Sequence, residues 1–166
     1  RIVMTLGREV STKGSTFTIR RFRDEPFTPV DLLEFKTFSS MQIAFFWLAM
    51  QYGMSMLFVG GTASGKTTSL NACSLFLPWQ HKIVSIEETR ELNLPHPNWI
   101  PGCTRQGFGG ESAGSGVKAA GEVDMYDLLR AALRERPEYI IVGEIRGAEA
   151  YVLFQAMATG HTTYST

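Results

Sequence analysis

The stretch FVGGTASGKTTSL, from Phe58 to Leu70, constrains this chain more than any other. Gly60 is followed after four residues by Gly65-Lys66-Thr67, with the apolar run SMLFV before it and a helical pattern over 66–77 after it. That is the strand–loop–helix context in which a glycine-rich loop cradles phosphate. Gly60, Gly61 and Gly65 put no side chain where a ligand must approach. The backbone through Thr62, Ala63 and Ser64 and the helix start at Lys66, Thr67 and Thr68 offer N–H groups to negative charge. Lys66 is placed to reach the β- and γ-phosphates, and Thr67 to give its hydroxyl to magnesium.

The rest of the chain supplies the scaffold such a loop needs. A helix runs through AFFWLAMQY, capped by Ser39 or Ser40 and ended by Gly53. KIVSI and YIIV read as strands, 124–136 and 147–159 as helices. Asp124 caps the first of these with Asp127 as its box partner, and Met125, Leu128, Leu129, Ala132 and Leu133 make its apolar face. Apolar strands alternating with helices predict an α/β fold with a mostly parallel sheet covered on both faces. The segment 105–121 is too rich in glycine and small residues for a helix or core, and is expected to be a mobile loop.

Residues 1–36 have a different character: two short strand-like runs, a turn at Gly14, then Thr28 and Pro29 opening a helix. They are expected to be the end of an N-terminal α+β domain with its linker, and 37–166 a nucleotide-binding core. The chain is expected to be an excerpt of a longer protein.

A phosphate loop needs acids to manage magnesium and water. KIVSIEETRE presents Glu87, Glu88 and Glu91 at a strand end, and YIIVGEIRG presents Glu144 one residue beyond another. In open parallel sheets ligands gather at the carboxyl ends of the strands, where both acids belong. Glu87 and Glu88 also read as helix-start carboxylates, whereas the Gly-Glu pair after a core strand shows little structural reason to exist. Arg105 and Arg146 are usable phosphate clamps; Arg130, Arg134 and Arg136 read as solubilising charge or as a subunit boundary. His161, within ATGHTTYST, reads as a turn residue or as a nucleotide sensor brought to the carboxyl end of a neighbouring strand.

Net charge is +0 over 166 residues, so no overall field favours nucleic acid or an acidic membrane. Cys73 reads as core, and with Cys103 it matches no metal spacing. The longest apolar run, Ile43 to Met50, is far shorter than a membrane span.

Four stretches in order resemble the type II/type IV secretion ATPase family, and the resemblance covers nearly the whole chain. GGTASGKTT is similar to its Walker A, SIEETRE to its aspartate box, VGEIRGAEA to its Walker B and ATGHTTYST to its histidine box. The run IEETRELNLPHPNWI is most similar to archaeal members. The resemblance implies a RecA-like core, ATP and magnesium as cofactors, and hydrolysis coupled to subunit motion in a hexameric ring. It implies an integral-membrane platform partner and a place in the cytoplasm at the inner membrane face. By position it makes Glu144 the Walker B acid that meets magnesium, Glu87 the aspartate-box acid and His161 the nucleotide sensor. Arg20 and Arg21 become the phosphate-facing arginines of the preceding domain. Glu87-Glu88-Thr89 departs from the Glu-Asp-Pro form common in that box. Two alternatives stand beside the motor: a nucleic-acid translocase, for which Arg105, Phe108 and Lys118 are a thin basic loop, and a nucleotide-gated scaffold with little hydrolysis.

Overall fold

Strands β4 (Ile83–Glu87) and β6 (Tyr139–Val142) are buried along their whole length, which requires cover on both faces of the sheet they share. The computed structural model, which describes residues 2–9, 12–19, 25–107 and 119–166, shows that cover. Five parallel strands lie in the order β3 (Met56–Leu57), β7 (Thr162–Ser165), β6, β4 and β5 (Trp99–Cys103). Successive residues of each strand point to opposite faces. Ile83, Tyr139, Ile141 and Tyr164 therefore meet Met50, Leu70 and Cys73 from helices α2 (Ser40–Gln51) and α3 (Lys66–Ser74). Val84, Ile86, Ile140 and Val142 meet Met125 and Leu129 of α4 (Met125–Ala132) and Leu153 of α5 (Glu149–Ala158). Each such fully buried aliphatic side chain contributes about 1.5–3 kcal/mol of transfer free energy.

Three helices begin on reciprocal caps. Thr28 and Asp31 open α1 (Pro29–Glu34), Ser39 and Gln42 open α2, and Asp124 and Asp127 open α4. Helix α3 has no side-chain cap: it starts from Gly65 in the left-handed region, at φ 88°. Its first N–H groups are thereby left for a ligand. A separate antiparallel pair, β1 (Ile2–Thr5) and β2 (Thr16–Ile19), leaves Ile2, Val3, Met4, Phe17 and Ile19 exposed.

The expected elements are present, with four differences. Only Met56 and Leu57 of SMLFV pair with β7; Phe58 adds one further bond, to the Ser165 carbonyl at 2.8 Å, before the chain turns into the phosphate loop. Helix α3 stops at Ser74 rather than 77. Helix α4 stops at Ala132 rather than 136, and Arg136 turns the chain with φ 51°. Strand β5 was not foreseen, because its sequence, WIPGC, carries a proline and a glycine. It holds the outer edge of the sheet, where a missing N–H is tolerated. Trp99 Nε1 donates to Ser85 Oγ at 2.9 Å, tying this edge to β4. Residues 108–118, most of the expected mobile loop, lie outside the described residues.

Candidate phosphate-binding site

Because β3, β4 and β6 run parallel in the same sheet, with β7 between β3 and β6, their carboxyl ends open onto one cleft of about 460 Å³. Thr62, Ala63, Ser64, Gly65, Lys66, Thr67 and Thr68 form one wall, Glu87, Glu88 and Glu91 another, and Gly143, Glu144, Arg146 and Thr166 the third. The loop holds its own shape. Ser64 Oγ donates to the Gly61 carbonyl at 2.8 Å, and Lys66 Nζ donates to the carbonyls of Gly60 and Gly61 at 3.0 and 2.9 Å. A Cβ on Gly60 would come within 2.7 Å of Ser64 Oγ, so any side chain there would push that hydroxyl from its place on the Gly61 carbonyl. Ala63 and Gly65 both have positive φ, at 61° and 88°, which turns successive N–H groups toward the cleft.

The two acids are held differently. Glu87, at the last position of β4, is 2% exposed. Its Oε1 accepts from the N–H groups of Glu91 and Leu92, each at 2.9 Å, while its buried Oε2 has no hydrogen-bond partner. Burial raises its carboxyl above the ordinary glutamate range, outweighing the two N–H donors that lower it. Glu144 is half exposed and pairs with Arg146 Nη2 at 2.7 Å. Glu149, at the start of α5, braces this turn by accepting from the N–H groups of Arg146 and Gly147 at 2.6 and 2.7 Å. Thr166 Oγ1 donates to the Gly143 carbonyl at 2.6 Å, and the Ile145 N–H donates to the Thr166 carbonyl at 3.0 Å.

This donor set fits a hard cation bound together with phosphate: the Thr67 hydroxyl and two carboxylates, with no nitrogen or sulfur ligand. Among the described residues no group of three histidine, cysteine or acidic side chains makes an all-protein metal cage.

His161 lies elsewhere. Helix α5 returns the chain from the carboxyl end of β6 to the amino end of β7, and Thr162 pairs with Tyr139, the first residue of β6. His161 therefore sits at the amino edge of the sheet, its Nδ1 3.3 Å from Thr159 Oγ1, and not at the carboxyl end where the sequence reading put it. The residue of that segment that reaches the cleft is Thr166. Arg105 does not line the cleft; its Nε donates to the Gly121 carbonyl at 2.8 Å. Arg130 lies over the Tyr126 ring, 5.6 Å from its centroid. Arg20 and Arg21 lie outside the described residues. Thr166 and Gly143 were missed by sequence reading, although Gly143 stands in the very Gly-Glu pair that lacked a packing reason.

These features define a P-loop α/β protein whose parallel sheet brings the phosphate loop, Glu87 and Glu144 to one edge. The chain belongs to the type II/IV secretion system protein family, whose pattern matches residues 7–166. It is 53% identical over 138 residues to the uncharacterized protein MJ1287 of Methanocaldococcus jannaschii, covering 83% of this chain and 48% of that protein. It is 39% identical over 122 residues to the type IV secretion system protein PtlH of Bordetella pertussis, covering 71% and 33% respectively. Its fold matches the crystal structure of the VirB11 ATPase from the Brucella suis type IV secretion system with a TM-score of 0.61 at 29% identity, over 89% of this chain and 41% of that one. The core is thus the RecA-like fold of those ATPases, and the chain spans less than half the length of each of these relatives. No helix among the described residues is long and apolar enough to cross a membrane.

Proposed function

We propose that this chain is the catalytic part of a magnesium-dependent ATPase that converts hydrolysis into subunit motion and drives a secretion or pilus-type machine. The observation that carries this reading is the convergence of the phosphate loop, Glu87 and Glu144 on one cleft at the carboxyl ends of parallel strands of one sheet. In the nucleotide-bound state Lys66 leaves the Gly60 and Gly61 carbonyls for the β- and γ-phosphates. Thr67 and Glu144 would hold a magnesium ion, whose charge would offset that of the phosphates when bound. A water then attacks the γ-phosphorus in line, giving ADP and phosphate, and Glu87 or Glu144 orients it. Glu87 suits the proton-accepting role, because a buried carboxylate with one bare oxygen and a raised pKa is a stronger base than a solvated one.

His161 keeps no role at the phosphates of its own chain in this proposal. Arg20 and Arg21 are its phosphate-facing arginines from residues 1–36, which we assign to the end of an N-terminal domain; 37–166 is the ATPase core. A hexameric ring docked on a membrane platform from the cytoplasmic side completes the proposal, supported by membership of the secretion family. The test is ATP hydrolysis by the full-length protein across a range of concentrations, with Lys66→Ala alongside. A specific activity that climbs with concentration and is absent in the variant supports a site completed between subunits. A flat or variant-insensitive rate refutes the assembled motor.

A further inference from the structure

We propose that Gly143 is a positioning residue that sets the carboxylate of Glu87 and couples it to Glu144; this rests on the ATPase reading above. This glycine directly follows β6, where three neighbours converge on it. Its N–H donates to the Ile86 carbonyl at 2.9 Å, and its own carbonyl accepts from Thr166 Oγ1 at 2.6 Å. Its Cα is covered by the Glu87 side chain: a Cβ there would lie 3.0 Å from Glu87 Cγ and 3.6 Å from both Glu87 Cβ and Oε1. The backbone of Gly143 is not in the left-handed region, so alanine is disfavoured at this position by contact and not by conformation.

A contact of that length must be relieved by movement of a few tenths of an ångström, and each partner is restrained. Glu87 is 2% exposed and its Oε1 is pinned by the Glu91 and Leu92 N–H groups. Gly143 is pinned by bonds to β4 and to Thr166. Displacement therefore passes to the free Oε2 of Glu87 or to the next residue, Glu144. The absent side chain at 143 is what lets two acids from neighbouring strands share one cleft with a fixed separation.

The test uses full-length protein carrying Gly143→Ala, Glu87→Ala or both. Gly143→Ala is expected to lower kcat for ATP by about tenfold or more while leaving KM and the affinity for a fluorescent ATP analogue near wild type, since small misplacements of a reacting group are costly. The acidic limb of its pH–rate profile is expected to move, because the surroundings of Glu87 change. In thermal melting, Gly143→Ala is expected to lower Tm in the wild-type background and to have little effect when Glu87 is alanine, because only Cγ makes the close contact. Additive Tm changes, or a raised KM with unchanged kcat, would overturn the inference. Wild-type protein that fails to hydrolyse ATP removes the motor reading, while the melting cycle still decides whether Gly143 acts through Glu87.

Discussion

Glu87 gives the sharpest prediction, because its position sets stability against chemistry. Its ionised form is desolvated and accepts two backbone N–H groups, one from exposed Glu91 and one from buried Leu92. Glu87→Gln keeps an acceptor for both N–H groups and removes the buried charge. Each bond then falls from a charge-assisted to a neutral one, a loss of about 1 kcal/mol apiece. The raised pKa means that burial already outweighs those bonds, so the neutral isostere is expected to melt at or above the wild type at neutral pH. Glu87→Ala instead strands the buried Leu92 N–H and frees the Glu91 N–H to water, a net cost of about 2 kcal/mol. For a chain of this size that is a Tm drop of roughly 4–8 °C. The pH dependence has a definite sign. A carboxyl raised in the folded state contributes its stability below the ordinary glutamate value and loses it as pH rises through the folded value. The Tm of the wild type relative to Glu87→Gln is therefore expected to fall between pH 4.5 and neutrality. Melting curves of the three proteins from pH 4 to 8, paired with ATP hydrolysis rates, are the assay. Glu87→Gln should be inactive yet no less stable. A Gln variant that melts well below wild type at neutral pH, or a difference that ignores pH, would refute the reasoning.

Other outcomes follow from the same geometry. Gly65→Ala meets no atom within 4 Å but must hold φ 88°, and is expected to lose about 1–2 kcal/mol of stability and most phosphate affinity, read by melting with and without ATP. Cys73, fully buried and pushed up to about 12 by desolvation, should resist iodoacetamide until the protein unfolds, whereas exposed Cys103 should react in the native state; mass spectrometry separates the two. Glu149 has the opposite sign to Glu87. Burial raises its carboxyl, but the N–H groups of Arg146, of Glu149 itself and of Gly147 together outweigh that and hold it below the ordinary glutamate range. Its contribution is present above the ordinary value and lost as pH falls through the lowered one, so Glu149→Gln should flatten the acid limb of the stability curve.

Most of the scaffold was legible because local chemistry decided it. The glycine spacing of 60–65, the acid three residues beyond the Asp124 cap and the unbroken apolar run of β6 each admit one reading. The site was legible wherever a residue follows a strand, since parallel strands all deliver their ends to one edge. His161 failed by the same logic: a residue between a returning helix and the next parallel strand belongs at the opposite edge, which the connection order could have told. Strand β5 was hidden because edge position, a tertiary property, is what licenses Pro101. Gly143 was hidden because its role is defined by a side chain 56 positions away in sequence, Glu87.

Among the described residues strand β3, which carries the phosphate loop, joins the sheet only through β7, and the partners Met56 and Tyr164 are separated by most of the described chain. Closing so long a loop is slow, and the strand's few bonds reward it only after β6 and α5 have placed β7. During synthesis the loop leaves the ribosome before β4, β5, β6 and β7, and waits without its strand partner until β7 follows. On the ATPase reading, nucleotide capture then follows the docking of β7, and a nascent chain stalled before β7 should bind no phosphate.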